Sequence, residues 1–369
     1  MGCQGAEVPK PPPGPVREGA LPACEQGAER VDEGNRVACK KDGQYHGPMY
    51  AWFPGGKREY ELSFKSGLLQ GPEKRWYESG QQSVEGAWSE GKATGRWNYY
   101  HPSGAKQAEG LRMEGRHEGT WRYYHPNGQL EEVSSFQGGE KIGLSTTYYD
   151  NGQKKKEVLF ERGKETGESL EWFRDGTLAV RANMVEGKRE GQAADFHENG
   201  QKKTVGEYRS GLQVGAWTNW AADGTKLAEG TMKFGKRYGL WTEFYPTGKK
   251  SSEIFWVDEQ KDGPFKTWYP SGDLRESGQL RGGRPDGKWT YFHEKNGAKA
   301  MDAEWDEGQP DGHWKVYDED GKLLKESFFI EGKGCGIWKC FSSGAPAACD
   351  SPPAGCQPTP TGAACESAC

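Results

Sequence analysis

The chain has 369 residues, of which only 33% are apolar and 28% are charged, so it cannot assemble the thick aliphatic core of ordinary globular domains. Its apolar area is concentrated in 15 Trp, 16 Tyr and 14 Phe, rings that each bury roughly 150–250 Å² and suit a thin structure. A net charge of −5 with mixed signs and no basic block argues against a nucleic-acid partner, and no apolar run approaches the ~18 residues of a membrane-spanning helix.

Residues 1–35 read as a Pro-rich linker, with Lys10-Pro11-Pro12-Pro13-Gly14-Pro15 extended and poorly foldable. Residues 36–343 read as a repeat array. Its opening stretch, 36–46, is a half-repeat that caps the edge, because Gly43 falls four residues before Gly47. From there glycines set the period: Gly47, Gly71, Gly95, Gly119, Gly143, Gly167, Gly191, Gly215, Gly239, Gly263, Gly287, Gly312 and Gly336. Every step is 24 except one of 25, between Gly287 and Gly312. Twelve complete units fill 47–335 and a partial one starts at Gly336.

Each unit is punctuated twice more. A second glycine follows nine residues after the first, often behind Asn or Asp, as in Asn127-Gly128, Asn151-Gly152 and Asp223-Gly224. Asn-Gly supplies the two positive-φ residues of a type I′ turn, so a two-residue hairpin loop is expected here. A third glycine lies four residues before the next unit, reads as a wider turn, and is replaced only by Glu259.

The segments between turns are rich in strand formers. The fifth residue after each leading glycine is always aromatic, from Trp52 and Trp76 to Tyr317 and Phe341. The second is often aromatic too: Trp97, Trp121, Trp217, Trp241, Phe265, Trp289, Trp314 and Trp338. Pairing through the Asn-Gly turn sets the second position opposite the fifteenth. Trp97 then faces Gly110, Trp121 Ser134, Trp217 Gly230, Phe265 Gly278, Trp289 Ala303 and Trp314 Ser327, a large residue over a small one each time. Trp241 opposite Ile254 is the exception. This register puts the fifth position on the other face; either both faces carry an aromatic file or a bulge brings the files together.

Units such as Gly119-Thr120-Trp121-Arg122-Tyr123-Tyr124-His125-Pro126-Asn127-Gly128 resemble the MORN-repeat variant of YwqK-like antitoxin proteins, over roughly residues 36–341. The resemblance implies an all-β fold: an elongated, single-layer antiparallel sheet with one hairpin per repeat. At ~4.8 Å per strand, twenty-four strands would make a rod of roughly 115 Å. For function it implies scaffolding, or binding of membranes or proteins, and in the antitoxin reading sequestration of a cytoplasmic toxin. The units are also similar to the shorter choline- and glucan-binding repeats, whose ligand sits between aromatic side chains. In that reading Trp97, Tyr99, Tyr100, Trp121, Tyr123 and Tyr124 form a ligand-binding wall. The competing reading is ring packing for structure alone.

The tail, 344–369, is low in complexity and rich in Cys, Pro and Ala. Cys335, Cys340, Cys349, Cys356, Cys365 and Cys369 cluster at this end, Cys3, Cys24 and Cys39 at the other. Such clusters suggest disulfides and an oxidising, extracytoplasmic setting; free thiols in the cytoplasm are the alternative, and the spacings lack metal-knuckle pairs. Met1-Gly2-Cys3-Gln4 resembles a bacterial lipoprotein start, which implies a lipid anchor on Cys3 and a signal peptide ahead of this sequence; otherwise Cys3 is an ordinary cysteine.

No phosphate loop, zinc-protease or serine-hydrolase motif occurs. His101, His125, His197 and His293 recur at one repeat position, which suits a structural or multivalent role better than a unique catalytic base. Asp318-Glu319-Asp320-Gly321 looks like part of a calcium loop, but Val316 and Ser327 occupy its end positions, so turn chemistry accounts for it better. The expectation is a non-enzymatic scaffold without cofactor or metal, engaging a protein or surface glycan along its sheet.

Overall fold

The computed structural model describes residues 16–342 and 345–347, with side chains through Gly334. The chain divides into two compact units, one through Thr177 and one from Leu178. Among the described residues every element is a strand or turn, and within each unit consecutive strands pair antiparallel as a ladder of hairpins. Strands touch their ladder neighbours and no second layer, so each unit is a single-layer sheet.

The sheet of the first unit begins upstream of the expected array. Glu29–Asp32, inside the stretch read as linker, pairs with the strand Arg36–Lys41, which pairs in turn with Gln44–Trp52. At the other end Ala345–Ala347 adds a strand to Lys333–Ser342, past the expected start of the tail. Residues 1–15 lie outside the described residues.

The seven predicted cross-strand pairs all occur, Trp241 opposite Ile254 among them. The turns that set them are not the expected ones. At the Asn-Gly turn the Gly128 N–H donates to the His125 carbonyl and the His125 N–H to the Gln129 carbonyl, both at 2.8 Å. Gly128 has φ +86° while Asn127 is not in the positive region. This is a type I turn closed by a left-handed glycine, a three-residue loop. One residue beyond, Tyr124 faces Leu130 but Tyr123 faces Glu132, leaving Glu131 as a bulge that restores the register. The two-residue type I′ turn sits instead at the third glycine: Glu114 and Gly115 both have positive φ, and Met113 pairs directly with Arg116. The extra residue of the Gly287 unit is taken up in the turn His293–Ala298.

The leading glycine makes a second irregularity. Glu118 faces Leu111 and Arg122 faces Glu109, so Gly119, Thr120 and Trp121 stand against Gly110 alone, with Gly119 at φ +64°. Three residues opposite one push the Trp121 ring across the gap. A Cβ on Gly110 would lie 2.2 Å from the Trp121 ring. The same contact joins Gly86 to Trp97, Gly206 to Trp217, Gly230 to Trp241 and Gly278 to Trp289. Each indole therefore covers the small residue of the preceding repeat, not the one across its own hairpin. That resolves the odd pair: Trp241 rests on Gly230, and Ile254 leaves it undisturbed.

Candidate functional site

The six aromatic residues singled out from sequence divide between the faces. Trp97, Tyr99, Trp121 and Tyr123 form one file, with successive ring centroids 6.1, 6.3 and 6.1 Å apart. Tyr100 and Tyr124, the next residues along their strands, point to the opposite face, where the Tyr124 hydroxyl donates to Glu109 at 2.8 Å. Both faces therefore carry an aromatic file.

The first file is filled by its own rings. Trp121 is 1% exposed, with Gly110 beneath it and the His117 imidazole stacked at 3.8 Å. Burial, with Arg112 nearby, lowers the His117 pKa and keeps the stacked ring neutral. Burial and Glu132 push the Tyr123 phenol up to about 12. Every second-position indole with a described side chain donates its N–H to a main-chain carbonyl: Trp97 to Thr94, Trp121 to Leu111, Trp217 to Val214, Trp241 to Thr231, Trp289 to Gln279 and Trp314 to Glu304.

The fifth-position rings on the other face are used differently. Lysines of the preceding repeat reach over them: Lys154 over Trp172, Lys226 over Phe244, Lys250 over Trp268 and Lys299 over Tyr317. The same lysines pair with carboxylates three residues on, Glu157, Glu229, Glu253 and Asp302. Trp76, Trp220 and Trp268 are half-buried, and their indole N–H groups have no partner among the described residues. Trp52 is the exception. The chain's own segment 16–22 crosses it: the Trp52 indole donates to the Glu18 carbonyl at 2.8 Å, the Glu18 N–H donates to Gly56 and Arg58 to the Ala20 carbonyl. Arg17 lies 5.1 Å over the same ring while pairing with Asp32.

The recurring histidines have one structural task. Nε2 of His101, His125, His197 and His293 bonds the main-chain carbonyl of the next repeat's fifth residue at 2.9–3.0 Å. Tyr77, Tyr149, Tyr245 and Tyr269 make the same bond with their hydroxyls. A ring of either kind, tipped with a polar atom, ties eight of the repeats to the next; Phe53, Phe173, Ala221 and Asp318 hold the position in the others.

In the second unit the indole face opens. Trp217 and Trp241 stand in the register of Trp97 and Trp121, again on glycines and with Ala228 matching Ala108. Asn219 stands where Tyr99 fills the space between the two indoles. The result is a groove of about 570 Å³ lined by Trp217, Asn219, Trp241, Thr204, Asp195 and Glu243. Thr204 donates to Asp195 at 2.7 Å and Ser252 to Glu243 at 3.0 Å. Glu259 closes one side. It occupies the left-handed turn position that glycine holds elsewhere, at φ +70°, and its carboxylate accepts the Arg237 N–H and lies 3.6 Å from the Arg237 guanidinium. Sequence reading marked Glu259 as an irregularity but did not connect it to Asn219, because a groove made by a missing ring has no motif.

Cys24 and Cys39 are joined by a disulfide that ties the N-terminal segment to the strand Arg36–Lys41, second from the end of the sheet. Cys3, Cys349, Cys356, Cys365 and Cys369 lie outside the described residues, as do the side chains of Cys335 and Cys340. Among the described residues no group of His, Cys, Asp and Glu is arranged to hold a metal ion. The turn Asp318–Gly321 is closed by bonds from its own main chain to Asp318.

The MORN repeat variant matches at residues 118–137, 141–162, 237–258, 261–280 and 310–331. The chain carries MORN-variant repeats. No curated protein matches it in sequence. Among solved structures, TcdB2-TccC3 aligns at 10% identity and TM-score 0.16 over 80% of this chain, which spans only 19% of that one. CbpJ from Streptococcus pneumoniae TIGR4 aligns at 17% identity and TM-score 0.15, covering 81% of this chain and 94% of its own. Choline binding protein F from Streptococcus pneumoniae aligns at 13% identity and TM-score 0.15, covering 82% and 94%. These are similarities of hairpin repeats, too low in score to carry a functional argument. The MORN-variant array is a β-sheet scaffold.

Proposed function

We propose that this scaffold is a non-enzymatic binding protein, exposed outside the cytoplasm, that engages extended segments of a partner protein along its fifth-position face. The observation behind this reading is the first repeat. There a stretch of irregular chain lies across a fifth-position tryptophan, its carbonyl taking the indole N–H and an arginine above the ring. Trp76, Trp220 and Trp268 offer the same indole donor, Trp268 with Lys250 above its ring as Arg17 lies above Trp52. Many weak, equivalent contacts on one strip would add up to a usable affinity. The Cys24–Cys39 disulfide supports an oxidising location.

A synthetic peptide of residues 16–23, added in trans to the intact protein, tests the face. Saturable binding that weakens in Trp220→Phe and Trp268→Phe, which keep the ring and delete the donor, is the expected result. Absence of binding, or binding indifferent to both changes, would sink it. For location, intact mass of the native protein with and without alkylation should show protected Cys24 and Cys39; nine free thiols would place it in a reducing compartment.

A further inference from the structure

We infer that the groove between Trp217 and Trp241 is a carbohydrate site that takes one neutral or amino-substituted sugar ring. It lies on the face opposite the fifth-position rings and stands or falls independently of the peptide reading.

The first unit shows what the space is built to hold. Gly86, Trp97, Ala108, Gly110 and Trp121 recur five repeats later as Gly206, Trp217, Ala228, Gly230 and Trp241. In the first unit the phenol ring of Tyr99 lies between the two indoles, 6.1 and 6.3 Å from them. In the second the same place holds Asn219, too short to fill it, and the space is open. The groove therefore runs past two tryptophans already fixed in position by their glycines and main-chain bonds. Its volume of about 570 Å³ falls in the ~300–1,000 Å³ range of small-molecule sites.

The residues around the groove narrow the occupant. Tyr99 is flanked by apolar Val84 and Ala108 across its two ladders, whereas Asn219 is flanked by Thr204 and Ala228. Tyr123 of the first unit becomes Glu243, and Asp195 stands beside Thr204. Thr204, Asp195 and Glu243 already hold one hydrogen bond each, and a flat aromatic ligand that excluded water would offer nothing to the Asn219 amide or to their remaining hydrogen-bonding atoms. A pyranose matches them: its C–H face suits indole and Ala228, and its hydroxyls suit amide, hydroxyl and carboxylate. The indoles are 5% and 8% exposed, so they supply ring edges, and polar and apolar atoms share the lining about equally. Of the three carboxylates that line the groove, Glu259 engages Arg237 and Asp195 lies 3.9 Å from Arg189, so Glu243 is the one with no cation beside it among the described residues. That balance rejects anionic sugars and admits neutral or amino sugars.

The test is saturation-transfer NMR on the full chain with the N-acetylglucosamine trimer, maltotriose and glucosamine, alongside choline chloride and glucuronic acid. At least one of the first three should bind, glucuronic acid should not, and affinity should fall by at least about tenfold in Asn219→Tyr. That variant rebuilds the first unit's packing, so its unfolding midpoint should hold or rise. Thr204→Val, which restores the residue found at Val84, should weaken the same sugar without altering the fold. The inference is overturned if none of the three sugars binds, if choline chloride alone binds, if glucuronic acid binds as well as they do, or if Asn219→Tyr binds sugar like the parent.

Discussion

Two stretches of the first unit solve one packing problem in opposite ways. Between Val84 and Phe136, indoles rest on glycines: Trp97 on Gly86 and Trp121 on Gly110, joined with Ala93, Ala108 and Phe136 in one buried cluster. Between Ser134 and Trp172 the same two positions are small on small. Ser145 meets Ser134 through hydroxyls 2.7 Å apart, and Ser169 stands opposite Val158. The coupled positions are the fifteenth residue of one repeat and the second residue of the next: a glycine lies beneath an indole in the first stretch, whereas serine or valine meets serine in the other. The stabilisation is far from equal. Burying an indole contributes several kcal/mol where a net hydrogen bond contributes about 1. Because repeats touch only their neighbours, that difference stays local, and stability should be uneven along a single sheet.

The largest effect should come from emptying the ring position. Trp121→Ala is expected to cost about 3–5 kcal/mol, read as the denaturant midpoint of the first unit. Hydrogen exchange should show the loss between residues 84 and 136, with little change beyond residue 143. Uniform loss through the unit would mean that the repeats are not locally coupled. Next comes Gly110→Ala, whose Cβ has no room beneath the Trp121 ring and should cost about 1–3 kcal/mol. The coupling makes a sharper claim: Trp121→Ser should cost less in a Gly110→Ala background than alone, and an additive cycle would refute it. Glu259→Gly should instead stabilise the second unit by about 1 kcal/mol, because it relieves a left-handed non-glycine residue, while removing a carboxylate from the groove. Ser145→Ala should cost about 1 kcal/mol or less, as only one hydrogen bond is lost.

Much of this was legible in the sequence, and where reading failed the cause is physical. The glycine ladder carried the hairpin array, and the pairing of Trp121 with Ser134 followed from it. The turn types were exchanged, yet two departures cancelled: a three-residue loop shifts the register one way and the bulge at Glu131 shifts it back. Pro54, Pro102, Pro126, Pro246 and Pro270 carried the missed signal. A proline two residues before the glycine suits the second position of a type I turn and lacks the N–H that a two-residue loop would require there. That an indole covers the preceding repeat's glycine could not be read from spacing, because it depends on the three-against-one bulge at Gly119. The role of Asn219 was hidden for a related reason: its meaning lies in the contrast with Tyr99, five repeats earlier.

The smallest effect concerns acid, and it separates the two stretches again. His117 stacks on Trp121 with its pKa lowered by burial and then by Arg112. In the unfolded chain the imidazole binds a proton near its ordinary value of about 6.5, whereas the folded ring resists it. The stack's contribution is therefore complete above that value and declines as pH falls below it. Glu109, held at about 2 by Lys106 and Tyr124, contributes fully above the ordinary glutamate range and loses that contribution only as pH falls toward 2. Hydrogen exchange across residues 84–136 should thus show two acid steps, the first beginning just below neutrality. The small-on-small repeats have no buried imidazole, so exchange across residues 143–172 should lack that first step. His117→Phe, which keeps a stacked ring and removes the titration, should erase the first step and leave the second. If the step near neutrality survives that change, the neutral imidazole is not what acid disrupts.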